Sequence, residues 1–174
     1  MNLTCVEFTL NGKPKSISID PRVSLLAMLR DLGYTSVKQG CAVGECGACT
    51  VLVDGVPVDS CIYLALWVSG KEVRTTEGEV KDNILSIVQQ AYVDAGAVQC
   101  GFCTPGLVMT TTALVEKYRG KKICRDTVRK ELAGNLCRCT GYEKVIDAVL
   151  ASLESRPQCD GAGGCGCSKG SPTA

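Results

Sequence analysis

The sequence contains no histidine. That absence removes a Ser-His or Cys-His nucleophile pair, a histidine-containing zinc site and a Rieske centre from anything this chain builds by itself. Aromatic residues make up 5% of the chain, too few for the stacking platforms that hold single-stranded nucleic acid. Neither sign of charge is in excess. Lys and Arg number 19 against 18 Asp and Glu, and the formal net charge of +1 sets up no long-range field for nucleic acid, anionic lipid or an acidic partner. No apolar run approaches the ~20 residues of a membrane span. The opening MNLTCVEFTLNGKPK lacks a charged-then-apolar leader pattern. The expectation is a soluble, cytoplasmic protein.

What the chain has in quantity is thiol, with 13 cysteines in 174 residues. A reducing compartment keeps cysteines as thiols, so this density points to metal binding rather than to disulfides. An odd count also leaves at least one thiol unpaired in any all-disulfide scheme. Whatever chemistry the chain has, thiolates carry it.

The apolar pattern is interrupted at Thr75–Lys81, TTEGEVK. Before that point, CVEFTL and SISI alternate about the turn Asn11-Gly12, and TVLV and VPVD alternate about Asp54-Gly55. Between the hairpins, DPRVSLLAMLRDLG predicts a helix with Ser24 or Asp20 as its cap, Leu25, Leu26, Leu29 and Leu32 on one face and Gly33 just past its end. After the interruption the pattern is helical. The spacing predicts a helix from after Asp82 to Gly96 and a second with Thr104 as cap, Pro105 in the first turn and Gly120 at its end. A third runs from Asp126 to near Gly134, and a fourth follows Thr140. Each is expected to be about three turns long, and together they suggest a bundle. The domains expected are 1–76, 77–154 and a Gly/Cys-rich tail, 155–174. Cores of such size are marginal alone, and a metal centre in each would add to them.

Cys41, Cys46 and Cys49 form C-x4-C-x2-C, and Cys61 follows beyond the second hairpin turn. This is the plant-type ferredoxin spacing, three ligands in one loop and a distant fourth. Gly40, Gly44 and Gly47 would let that loop close around a [2Fe–2S] core and turn backbone N–H groups towards its sulfurs. Zinc more often takes tighter C-x2-C knuckles, and buried apolar cysteines would not gather in a glycine-rich loop. A second set is Cys100 and Cys103, then Cys137 and Cys139 after 33 residues. Each pair precedes an expected helix, whose N-terminal N–H groups and partial positive charge would offset thiolate charge. Spacing alone leaves an iron–sulfur cluster and a four-cysteine zinc site equally open here.

KQGCAVGECGACTVLVDG, the pair Ser60-Cys61, QCGFCTPG and GNLCRCTGY, in this order, resemble the iron–sulfur subunit of the molybdenum hydroxylases, the xanthine oxidase family. The likeness runs from about Val6 to Leu153. Within the family it is greatest to the small subunits of bacterial multi-subunit xanthine dehydrogenases. The resemblance implies an α+β chain, a β-grasp [2Fe–2S] ferredoxin-like domain followed by a four-helix bundle with its own [2Fe–2S] cluster, and it favours iron over zinc at the second set. It implies a hetero-oligomer with a large molybdenum-binding subunit, which carries a molybdenum–pterin cofactor, and an FAD-binding subunit. Electrons would pass from the pterin site through the bundle cluster, then the ferredoxin-like cluster, to FAD. The substrate expected is a purine such as xanthine or hypoxanthine, with aldehydes and other N-heterocycles as alternatives. By motif, Gln99 and Cys139 would approach the pterin, with Gly101 and Phe102 shaping that approach. This chain would contribute electron transfer and no catalytic residue.

Five cysteines lie outside the motifs. Cys5 and Cys124 are expected to be small buried residues. Cys159, Cys165 and Cys167 in CDGAGGCGC are either a surface extension or three ligands of a further metal site, one short of a full set. Arg138 is expected to pair with cluster or pterin charge or to be solvated. Lys38 stands near the first set, and Trp67 is expected in a core or a subunit interface. The rival functions are a free-standing ferredoxin with a helical extension and a zinc-stabilised binding module.

Overall fold

The computed structural model describes residues 3–154. Cys159, Cys165 and Cys167 lie outside the described residues.

Two hairpins form where the turn residues ask for them. β1 (Thr4–Leu10) and β2 (Lys13–Ile19) meet at Asn11-Gly12, and β3 (Thr50–Val53) and β4 (Val56–Asp59) meet at Asp54-Gly55. All four turn residues have positive φ, between 50° and 79°, the two-residue turn that matches strand twist. Between the hairpins runs α1 (Leu25–Asp31), with Ser24 as its cap, accepting from Ala27 N–H at 3.2 Å. A fifth strand, β5 (Glu72–Arg74), completes the sheet in the order β2-β1-β5-β3-β4. It runs parallel to β1 and antiparallel to β3. Two short 3-10 turns, Ala65–Val68 and Thr76–Glu79, flank it. Val6, Phe8 and Leu10 of β1 point into one core with Leu25 and Leu29 of α1.

The chain then turns helical, giving the α+β class expected. α2 (Ile87–Asp94) starts later than the sequence suggested. Asp82 and Asn83 adopt positive φ in a turn, and a reciprocal Ser86–Gln89 capping box fixes the true start. α3 (Thr104–Lys117) has Pro105 in its first turn, but its cap position is Cys103 rather than Thr104. α4 (Arg125–Glu131) and α5 (Glu143–Glu154) complete the four. α2 and α4 have only 8 and 7 residues, about two turns instead of three. The second core is built of Tyr92, Leu107, Val128, Ile146 and their neighbours. No helix among the described residues is long and apolar enough to cross a membrane.

α3 packs on α2 and α5 and also lies against β3 and β4 of the sheet, so the two halves share a seam. Gly106 of α3 meets Gly47 with no room for a Cβ on either. Arg74 of β5 reaches Glu116 of α3 at 3.0 Å, and Thr76 donates to the Pro105 carbonyl at 3.1 Å.

Glu77 ties the connection to the sheet half. It accepts from Ser36 N–H at 3.0 Å, Ser36 Oγ at 2.5 Å and Thr75 Oγ1 at 2.6 Å. Burial alone would raise its carboxyl; the hydroxyls of Ser36 and Thr75, with backbone N–H groups, more than offset that and hold it below the usual glutamate range. A depressed carboxylate contributes stability that is present above its unfolded pKa and lost as pH falls through its folded one. Acid titration of thermal stability should therefore show a loss below the usual carboxylate range that is smaller in Glu77→Gln. An identical acid limb in that variant would count against the role.

Candidate metal centres

The first thiol set lies where the α1–β3 loop meets the second hairpin. Thr50 and Asp59 are opposite each other in the β3–β4 ladder, which brings Cys49 and Cys61 side by side. Ser60 Oγ closes the corner by donating to the Cys49 carbonyl at 2.7 Å. The loop wraps so that its amides face sulfur. Cys41 N–H donates to Cys46 Sγ at 3.4 Å, while Val43 and Glu45 N–H donate to Cys41 Sγ at 3.4 and 3.2 Å. The Val43 and Glu45 N–H groups lower the Cys41 thiol to about 6, while burial pushes Cys49 up to about 12.

The glycines of this loop divide their work differently from the expectation. A Cβ on Gly40 would lie 2.7 Å from Cys46 Sγ, so glycine there makes room for a thiol. Gly44 and Gly47 take positive φ, and so does Ala42 at 59°, a turn the sequence did not announce. At Gly47 the atoms a side chain would strike belong to Gly134 and Asn135. That glycine serves the seam between the halves.

The second set is assembled from two loops. Cys100 and Cys139 Sγ are 3.6 Å apart, and Cys103 and Cys137 stand together behind them. Cys100 and Cys139 are exposed, and Cys103 and Cys137 are half-buried. Cys103 occupies the cap position of α3, so this pair does stand immediately ahead of a helix. At the other loop the donors come from ahead of α5. Thr140 Oγ1 donates to Cys137 Sγ at 3.2 Å. Burial works against the Cys137 thiolate, but the Thr140 hydroxyl and the loop N–H groups bring it down to about 7. Burial, helped by Cys137 beside it, pushes Cys103 up to about 12.

The thiols of both sets thus stand in twos: Cys41 with Cys46, Cys49 with Cys61, Cys100 with Cys139, Cys103 with Cys137. None of the eight is in a disulfide. Two thiolates on one tetrahedral metal at ~2.3 Å stand ~3.8 Å apart, close to the 3.6 Å of Cys100 and Cys139. Among the described residues no three Cys, Asp or Glu side chains gather on a single ion-sized point. Two thiol pairs per set suit a two-iron core, with one pair for each iron, and the residues present fit a [2Fe–2S] cluster at both places.

Several residues that the sequence reading passed over hold these loops. Tyr142 has φ 67° and no glycine's freedom to do so. Its Oη accepts from Cys137 N–H at 2.7 Å and donates to the Asn135 carbonyl at 2.9 Å, closing the CRCTG loop on itself. Tyr142→Phe leaves both backbone groups without that partner, a loss of about 1–3 kcal/mol. Iron should leave the second set faster under a chelator while the first set is unaffected; equal release from both would refute the clamp. Leu136 N–H donates to the Cys46 carbonyl at 2.9 Å, so one hydrogen bond joins the neighbour of Cys137 to a residue of the first set.

Gln99 and Phe102 are exposed beside Cys100, with Gly101 at φ 84° between Cys100 and Phe102. Arg138 is exposed, and Lys38 is half-buried with its N–H on the Ala48 carbonyl at 3.3 Å. Trp67 is 53% exposed and edge-on to Tyr63 at 5.3 Å, which removes it from the core. Cys5 also departs from expectation. It is exposed, 3.4 Å from Ser16 Oγ, because the alternation of β1 gives the inward places to Val6, Phe8 and Leu10. Cys124 is half-buried at the cap position of α4, beside Thr127.

Comparison with known proteins assigns both halves of the chain to iron–sulfur families. Residues 8–74 match the family described as "2Fe-2S iron-sulfur cluster binding domain" and residues 75–150 the family described as "[2Fe-2S] binding domain". The chain is 59% identical over 145 residues to the xanthine dehydrogenase iron-sulfur-binding subunit of Escherichia coli O157:H7, covering 83% of this chain and 91% of that one. It is 46% identical over 155 residues to the nicotinate dehydrogenase small FeS subunit of Eubacterium barkeri, covering 88% and 98%. Among solved structures, a chain of quinoline 2-oxidoreductase from Pseudomonas putida 86 superposes with a TM-score of 0.81 at 41% identity, covering 87% of this chain and 94% of that one.

Proposed function

Because the chain belongs to the iron–sulfur subunits of the xanthine oxidase family of molybdenum hydroxylases, an electron-transfer subunit of such an enzyme, we propose the route that electrons take through it. They enter from a molybdenum–pterin site in a large partner subunit and leave to FAD in a third subunit. A bound [2Fe–2S] cluster supplies one-electron redox chemistry. Cys100, Cys103, Cys137 and Cys139 would hold the entry cluster, and Cys41, Cys46, Cys49 and Cys61 the exit cluster. The hydrogen bond from Leu136 N–H to the Cys46 carbonyl, at 2.9 Å, carries this reading, since it links the two thiol sets through backbone alone.

The exposed face around Cys100 and Cys139, with Gln99, Gly101 and Phe102, is the side we assign to the pterin partner. The rim of the first loop, where Val43 and Ile62 are 64% and 61% exposed, is the side we assign to the flavin partner. Apolar side chains this exposed beside thiolate loops are suited to burial in a subunit interface. We divide the chain at 76/77, with a tail from residue 155, and place the complex in the cytoplasm, where thiols stay reduced. The substrate we propose is a purine, xanthine or hypoxanthine, supported by the identity to a xanthine dehydrogenase subunit. The identity to a nicotinate dehydrogenase subunit favours a second reading, another N-heterocycle.

Purification from the native host tests all of this. The expected product is a complex with molybdenum, flavin and about four irons per copy of this chain, two distinct EPR signals on reduction, and turnover of xanthine. A chain isolated alone and stable without molybdenum or flavin partners would overturn the route. Turnover of nicotinate in place of xanthine would select the second reading.

A further inference from the structure

Asn135 is 5% exposed, and both ends of its amide are occupied. Nδ2 donates to the Gly47 carbonyl at 3.0 Å and to Thr50 Oγ1 at 3.2 Å, and Oδ1 accepts from Thr110 Oγ1 at 2.8 Å. The partners come from separate places. Gly47 and Thr50 bracket the Cys49 end of the first cysteine loop. Thr110 sits midway along α3, whose cap is Cys103. Asn135 itself is two residues ahead of Cys137. Its backbone is engaged too: its carbonyl accepts from Tyr142 Oη at 2.9 Å and its N–H donates to the Leu132 carbonyl at 2.9 Å.

The bond to Gly47 falls on a carbonyl that already accepts from Thr50 N–H at 3.2 Å and Thr50 Oγ1 at 2.7 Å. That oxygen is the fixed point of the first loop, and the asparagine amide ties it to both structures that carry the second thiol set. A residue needed only to fill the space could be a leucine. A planar amide held at both ends fixes distance and orientation together, because its donors and acceptor cannot exchange places without leaving a buried polar group unpaired.

We infer that Asn135 is a positioning residue, whose amide sets the separation and orientation of the first thiol set against the second and thereby the coupling between the two clusters. This rests on the two-cluster electron route above.

The test uses the whole complex from the native host, with Asn135→Asp and Thr110→Val in this chain. Asn135→Asp keeps the shape and the acceptor for Thr110 but turns two donors into an acceptor facing the Gly47 carbonyl. Thr110→Val removes only the group that orients the amide. Iron per chain is measured first. The reduced complex is then examined by EPR, where two nearby paramagnetic clusters split each other's lines according to distance and orientation, and by the rate of electron transfer between them. With iron retained, Asn135→Asp should change the splitting and slow the transfer several-fold, since electron tunnelling between two centres falls off exponentially with their separation. Thr110→Val should shift both in the same direction by less. The position of each cluster's own signal should not move, which a general loosening would not spare. Wild-type splitting and rate in Asn135→Asp at full iron would overturn the inference. If that variant loses iron, Thr110→Val decides: altered splitting supports the role, and wild-type splitting overturns it. A wild-type complex without two mutually split signals would overturn the two-cluster route and this inference with it; split wild-type signals with unmoved variants would overturn only the role of Asn135.

Discussion

Gly47→Ala should cost the chain its first cluster and a large part of its stability. Gly47 has φ +65°, a conformation that costs an L-residue about 1–2 kcal/mol. The new Cβ would also collide with the Gly134 carbonyl oxygen and lie 2.6 Å from Asn135 Nδ2 and 2.9 Å from Asn135 Cα. Two of these are backbone atoms that cannot rotate aside, and overpacking of this kind adds about 1–3 kcal/mol. The sum is a large share of the 5–15 kcal/mol that holds a domain of ordinary stability. Tm should fall by on the order of 10 °C, and iron should drop from about four towards two per chain as the loop carrying Cys46 and Cys49 is forced off the seam. Gly55→Ala separates strain from crowding: φ there is +79°, but nothing lies within 4 Å of the new Cβ. It should cost only about 1–2 kcal/mol. Equal losses in the two variants would show that the seam contributes nothing.

Stripping the iron should abolish the cooperative fold of both halves. The loop between α1 and β3 has no helix or strand over residues 32–49, and the chain from Cys137 to Tyr142 is likewise irregular. Apart from a few hydrogen bonds such as those of Tyr142 and Asn135, thiol pairs are what close these segments. Structural metal sites carry apparent binding energies on the order of 10 kcal/mol, comparable with the whole stability of a small domain. The thiols alone are a poor substitute, since Cys49 and Cys103, pushed up to about 12, stay protonated and offer only weak S–H contacts. Anaerobic chelation followed by thermal unfolding should show the sharp transition replaced by a broad, lower one, restored by iron and sulfide. An unchanged transition in the stripped chain would mean that the two hydrophobic cores suffice.

Much of this arrangement is written locally. Asn11-Gly12 and Asp54-Gly55 announce the hairpins because a two-residue turn with positive φ needs those residue types. Ser24 announces α1 because its side chain meets a free N–H three residues on. The eight motif cysteines can be picked out by spacing alone. What the sequence conceals depends on distant partners. β5 is three residues long, too short to show an alternation, and exists because β1 and β3 accept it from either side. The late start of α2 reflects a capping box at Ser86 and Gln89 that an earlier Asp82 masks. Asn135 meets Gly47 across 88 positions, and nothing near either residue foretells it. Cys5 misleads because a short apolar thiol can face either way on a strand, and only the alternation with Val6 decides.

The Gly47–Gly106 contact bears on how such chains can be recombined. Where two backbones touch without side chains between them, there is nothing to trim or enlarge when a neighbour changes, so the seam tolerates no gradual drift. A chimaera that joins the sheet half of this chain to the helical half of a relative would be cut at the connection near residue 76 in sequence. In space the join runs through Gly47, Thr50, Gly106, Thr110 and Asn135. Grafts that carry those five positions together should assemble, and grafts that divide them between mismatched parents should not, however well the connecting peptide is matched.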